Sequence, residues 1–172
     1  MYPEPPEHIE EASLDRLYAA GIHLIEDGRA QEAGEIIEHL QQIEASVDER
    51  DPVVAQAIAE MLRGYEAFRA GDLAEAEEQW ASWRPLGLSR AIWKGDLYRE
   101  RGDLEKAEDW YKAGWAHMGA HERLGGLYEE MGRPEDAAEA YERFITAWAE
   151  ANEPLQERVE AARERREQVT AE

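Results

Sequence analysis

Leu124-Gly125-Gly126-Leu127-Tyr128-Glu129-Glu130-Met131-Gly132-Arg133-Pro134-Glu135-Asp136-Ala137-Ala138-Glu139-Ala140-Tyr141 decides the fold. Two glycines stand seven apart, Gly125 and Gly132. Ala137 follows five residues after the second, and Tyr141 four after that. The same frame occurs three more times: Gly21, Gly28, Ala33 and Ile37; Gly64, Gly71, Ala76 and Trp80; Gly95, Gly102, Ala107 and Tyr111. A unit repeated at this length cannot bury its apolar face alone and does so by stacking on its neighbours.

Each position has a mechanical reason. The second glycine ends a helix, because glycine enters the left-handed conformation at little cost. A short polar turn follows it, and Pro134 falls where the first turn of a helix tolerates proline. The first glycine lies inside a helix, where it costs about 1 kcal/mol relative to alanine. Close approach of the paired helix, with the alanine facing it, is the expected compensation.

The second helix of each unit carries one apolar stripe at helical spacing. The stripes read Ala33, Ile36, Ile37, Leu40, Ile43, Val47; Leu73, Ala76, Trp80, Trp83; Leu104, Ala107, Tyr111, Gly114, Trp115, Met118; and Ala137, Tyr141, Phe144, Ile145, Trp148. Trp80, Trp83, Trp115 and Trp148 are therefore expected in the core, with Trp93 and Trp110 as the surface aromatics. No segment alternates with strand period. The second glycines are spaced by 43, 31 and 30 residues. The long first interval predicts a lengthened second helix in the first unit, then a turn in which Asp51 caps and Pro52 begins the next helix. The apolar face of that next helix reads Ile58, Met61, Leu62, Tyr65, Phe68. After Asn152-Glu153-Pro154 a polar helix is expected from Leu155 to Val169, with Leu155, Val159, Ala162 and Arg166 on one face.

Composition narrows the function. The chain has 172 residues, with 40 acidic against 19 basic, a formal net charge of −21. Such a surface repels phosphate backbones and anionic membranes, so nucleic acid and membrane insertion are disfavoured and basic partners favoured. Adaptation to the environment explains the acidity equally well. There is no cysteine, which removes disulfides, thiolate metal sites and thiol nucleophiles. No apolar run approaches the roughly 20 residues of a membrane span. Residues 1–7 lack the basic and apolar regions of a signal peptide, so a cytoplasmic location is the expectation. His117 and His121 stand four apart, but Gly119 between them is expected to break the helix and keep them from one metal ion. No cofactor is implied.

These residues resemble the tetratricopeptide repeat (TPR) family, in a bacterial type: Leu124, Gly125, Tyr128, Gly132, Ala137 and Tyr141 in the best unit, and Gly95, Tyr98, Ala107 and Tyr111 in the one before. The resemblance implies an all-α, TPR-like solenoid of antiparallel helix pairs. It has an irregular arm over residues 1–11, four repeats over 12–151 (12–50, 51–86, 87–118, 119–151) and a C-terminal capping helix over 152–172. It further implies a non-enzymatic adaptor or scaffold that binds a peptide or helical segment in a concave groove lined by the first helices. Groove positions carried over by resemblance are Tyr18, Ile22, Ile25 and Glu26; Met61, Tyr65, Phe68 and Arg69; Ile92, Asp96, Arg99 and Glu100; and Glu122, Glu129 and Glu130. That groove is apolar at one end and acidic at the other, matched to a basic or amphipathic protein segment. The cationic clamp of chaperone-binding relatives has no counterpart at Tyr18, Ile22, Met61, Tyr65, Ile92 and Asp96. The alternatives are that Tyr18, Met61, Tyr65 and Phe68 pack inside, that the chain resembles small acidic TPR chaperones of secretion systems, or that it self-associates through repeat edges.

Overall fold

The computed structural model describes residues 6, 8–43, 51–81, 88–117 and 119–171. Among them are nine α-helices and no strand: α1 Leu14–Glu26, α2 Ala30–Gln42, α3 Pro52–Arg69, α4 Leu73–Ala81, α5 Leu88–Glu100, α6 Leu104–Ala113, α7 Ala120–Glu130, α8 Pro134–Ala147 and α9 Glu153–Ala171. Expectations concerning residues 1–5, Val47, the Asp48-Glu49-Arg50 part of the first long turn, Trp83 and Met118 lie outside the described residues. The chain forms two compact units, Met1–Arg84 and Pro85–Glu172. In the first, α1 packs on α2 and α3, α2 on α3, and α3 on α4. In the second, each helix from α5 to α9 packs on the next.

The four second glycines have φ of 73°, 82°, 77° and 66° at Gly28, Gly71, Gly102 and Gly132. In each turn the N–H after the glycine donates five residues back, from Arg29 to Leu24 (2.8 Å), Asp72 to Ala67 (2.9 Å), Asp103 to Tyr98 (2.9 Å) and Arg133 to Tyr128 (2.8 Å). This is the Schellman closure, which satisfies carbonyls the helix end leaves without partners. The next helix begins at once. Asp72 accepts from the Glu75 N–H and Asp103 from the Lys106 N–H, at 3.1 and 3.4 Å.

The first glycines obey a different rule from the expected one. An alanine Cβ built at Gly125 would lie 2.5–2.7 Å from three ring carbons of Tyr141, and one at Gly64 or Gly95 would overlap Trp80 or Tyr111. The partner across the glycine is thus the large aromatic of the second helix, not its alanine. At Gly21 the neighbour is Leu62 of α3. Ala33, Ala76, Ala107 and Ala137 are each fully buried. At Gly64, Gly95 and Gly125 glycine's helix cost is offset by seating a ring that needs its missing Cβ.

Three details depart from expectation. The extra length of the first interval is not in α2, which has 13 residues; α3 has 18, capped by Asp51, whose carboxylate accepts from Val53 and Val54 N–H at 2.8 and 3.3 Å. Part of the N-terminal arm is ordered as a 3-10 turn, Ile9–Glu11, that packs on α2. Trp115 is 67% exposed instead of core. The α6 helix stops at Ala113, and Gly114 caps it. Trp115, on the stripe only if the helix continued, is turned outward. In the second unit Ile92, Tyr111, Leu127, Tyr141 and Phe144 form one core with Val159 and Ala162 of α9. The last helix is therefore an integral cover for α7 and α8.

Candidate functional site

In the second unit paired side chains join α5 to α7, and α7 to α9. The Arg123 Nε of α7 donates to both Asp96 oxygens of α5, at 2.9 and 3.2 Å. Arg99 of α5 bridges to Glu130 of α7 through Nε at 3.0 Å. From α9, Arg158 Nε donates to Glu122 at 3.1 Å, and Arg165 grips both oxygens of Glu129 at 3.0 and 2.6 Å. The buried rings complete the row from beneath: Tyr111 donates its hydroxyl to Asp96 at 2.7 Å and Tyr141 to Glu129 at 2.5 Å.

Glu100, also expected in the groove, is exposed; the acidic end expected from Glu122, Glu129 and Glu130, and Asp96 beside it, is instead paired. Each carboxylate is matched by a guanidinium, and these eight groups carry no net charge. Burial by itself would raise the Glu129 pKa, but the hydrogen bonds from Arg165 and Tyr141 outweigh it and hold the carboxyl below its ordinary value. The Glu130 carboxylate raises the pKa of Arg99. Burial opposes the charge on Arg123, and Asp96 more than compensates. Two of the four cations lie in α9, 36 residues from their partners. A reading confined to the repeats misses them.

In the first unit the apolar anchors are largely interior. Ile22, Ile25, Met61 and Tyr65 are 1%, 7%, 3% and 7% exposed, and Ile92 in the second unit is 2% exposed. Of the four residues for which internal packing was the alternative, Met61 and Tyr65 are buried, where α1 and α3 press together; Ile92 is buried in the core of the second unit. Tyr65 keeps a polar contact, donating to Glu26 at 2.9 Å while Arg69 reaches its hydroxyl at 3.5 Å. Burial, helped by Glu26, pushes the Tyr65 phenol up to about 12. Tyr18 and Phe68 stay half-buried, the latter 6.1 Å from the Trp80 ring, and Arg69 is exposed.

His117 and His121 go to different places. His117 Nδ1 accepts from the Gly119 N–H at 3.1 Å, in the turn before α7. His121 lies inside α7 and lines a separate pocket. Among the described residues no group of three or more His, Asp or Glu is placed to hold a metal ion. Trp80 is fully buried; Trp148, Trp93 and Trp110 are half-buried, and Lys94 sits over the Trp110 ring at 4.6 Å.

The pocket at His121 was not foreseen. It measures roughly 250 Å³. Its floor is one face of α7, formed by His121, Leu124 and Tyr128. Its walls are Lys112 of α6 and Trp115 just beyond that helix's end, and Asp136, Glu139, Ala140 and Arg143 from α8. The legible signal was Gly114, which stops α6 one residue before a tryptophan.

Residues 119–147 match the family model of the tetratricopeptide repeat. The chain is also similar to the crystal structure of a putative kinesin light chain from Podosopora anserina with nearly identical TPR-like repeats. The TM-score is 0.57 at 18% identity, over 96% of each chain. No curated protein matches. The likeness extends over both units and is one of fold.

Proposed function

From a chain built of TPR-like repeats, we propose a non-enzymatic adaptor that holds a segment of another protein against the first helices. The supporting observation is the row Asp96–Arg123, Arg99–Glu130, Glu122–Arg158 and Glu129–Arg165. These pairs are half-exposed and fixed by side chains from three helices; the sign reverses between the two α5–α7 pairs, and both α7–α9 pairs set an α7 glutamate against an α9 arginine. Such a row holds charged groups in register without enclosing a reacting centre. Exposed pairs contribute only about 0.2–1 kcal/mol each, so an incoming segment can exchange with them at small cost. It gains orientation and specificity from the pattern more than affinity.

The test reverses the pattern while keeping the internal pair. Arg99→Glu combined with Glu130→Arg preserves a bridge between α5 and α7 but inverts what a partner meets. Proteins cross-linked in the native host should be captured by the parent and lost with the folded swap variant. Capture of the same proteins with equal affinity by both would rule out the first-helix face.

A further inference from the structure

We infer that His117 is a pH-sensitive latch at the joint between α6 and α7, closed while its imidazole is neutral and opened when Nδ1 takes a proton. It stands apart from the adaptor reading: the groups and the readouts all belong to this chain.

His117 ties the joint at three points. Its N–H donates at 2.8 Å to the carbonyl of Gly114, the C-cap of α6. Its carbonyl accepts at 3.0 Å from the N–H of Ala120, the first residue of α7. Its ring nitrogen Nδ1 accepts from the Gly119 N–H at 3.1 Å. Gly119 is the N-cap of α7 and makes no side-chain cap. The imidazole therefore supplies from outside the helix what a capping-box side chain supplies from within, an acceptor for the N-cap N–H. The hydrogen bond also assigns the tautomer. Nδ1 accepts, so the neutral ring carries its proton on Nε2. A second proton can go only to Nδ1. It turns the acceptor into a donor facing another donor, and the bond to Gly119 is lost.

The surroundings disfavour that proton. The position a Gly119 Cβ would take lies 2.6 Å from Arg123 Nη1, 3.4 Å from Arg158 Nη2 and 3.5 Å from His117 Nδ1. Guanidiniums from α7 and α9 thus gather with the imidazole at the positive end of the α7 dipole. Asp96 of α5 and Glu122 of α7 stand in the same cluster, and both are engaged. Asp96 takes Arg123 Nε at 2.9 Å and the Tyr111 hydroxyl of α6 at 2.7 Å; Glu122 takes Arg158 Nε at 3.1 Å. Burial, then Arg123 and Arg158, hold the His117 pKa below its ordinary 6.5 against the pull of Asp96. The unfolded chain therefore takes up this proton before the folded one does. The latch is closed at and above the ordinary imidazole value and opens as pH falls through the lower, folded one. His121 is the comparison: burial and Arg143 lower it too, but it lies within α7 on the pocket face.

The experiment is NMR on the full chain, with circular dichroism confirming the fold at each pH. Ring nitrogen shifts read the tautomer and midpoint of His117, and hydrogen exchange reads the Gly119 amide one pH unit either side of that midpoint. His117→Asn places an oxygen where Nδ1 stands and does not titrate; His117→Ala removes the acceptor. The neutral ring should carry its proton on Nε2, with a midpoint below 6.5. Protection at Gly119, taken relative to the intrinsic rate at each pH, should fall about tenfold in the parent, as the neutral fraction does across that interval. It should stay high in His117→Asn, be low at both values in His117→Ala, and follow the parent in His121→Asn. A midpoint at or above 6.5, or a neutral ring protonated on Nδ1, would overturn the proposal. So would parent protection matching His117→Asn at both values, His117→Asn as unprotected as His117→Ala, or a fall abolished by His121→Asn.

Discussion

Replacing Gly125 by alanine places a methyl group where the fold has put a tyrosine ring. On helix propensity alone Gly125→Ala should stabilise α7 by about 0.8–1 kcal/mol. The structure predicts the opposite sign. The new Cβ would lie 2.5, 2.6 and 2.7 Å from Tyr141 Cε1, Cζ and Cδ1, far inside the 3.5–4.0 Å of good carbon–carbon contact. Tyr141 is 3% exposed, and a planar ring has no flexible end to swing away. Overpacking of this kind costs about 1–3 kcal/mol. A ring pushed aside also strains the 2.5 Å hydrogen bond to Glu129, and bonds to charged groups are worth about 1.5–3 kcal/mol. Steric and polar losses exceed the propensity gain, leaving a net destabilisation of roughly 1–3 kcal/mol. The assay is urea unfolding followed by far-ultraviolet circular dichroism. Gly34→Ala is the control: it sits in α2 with nothing within 4 Å of its Cβ position and should stabilise by up to about 1 kcal/mol. Removing the ring should reverse the sign, so Gly125→Ala in a Tyr141→Leu background should be neutral or stabilising relative to Tyr141→Leu alone. A Gly125→Ala protein as stable as its parent would refute the glycine–ring rule.

Ala137 is fully buried, so Ala137→Trp should cost about 1–3 kcal/mol or more by overpacking, read as a lower melting temperature; an unchanged value would place the alanine outside the core. The Glu129 and Glu108 carboxyls are held below their ordinary value of 4.5. A group with a depressed folded pKa adds stability that is fully present above its unfolded value and is lost as pH falls through the folded one. Stability should therefore decline below about pH 4.5, and Glu129→Gln should show a shallower decline; parallel curves of urea midpoint against pH would exclude Glu129 as a contributor.

The repeated glycines, the alanines and the stripes determined the helices, their turns and the order of pairing. Those features obey local rules. A left-handed backbone position selects glycine wherever the chain goes next, which is why Gly28, Gly71, Gly102 and Gly132 were legible and have positive φ. The Asp51-Pro52 start of α3 was legible for the same reason: its cap is made within three residues. What a helical glycine faces is not local. Only packing showed that Tyr141 lies over Gly125 and that Leu62 replaces the expected partner at Gly21. The groove positions suffered most. A first-helix residue has one side toward its neighbour and one toward solvent, separated by about 100° per residue, and repeat alignment does not fix that rotation. Ile22, Met61 and Tyr65 turned inward, and Glu122 and Glu129 met Arg158 and Arg165 from a helix beyond the repeats. Trp115 went the other way, outward, because one glycine ended its helix early. The sequence by itself determined which segments are helical and where each turns. The tertiary structure alone decided which charges cancel and which aromatic meets solvent, because both depend on residues brought together from distant positions in the chain.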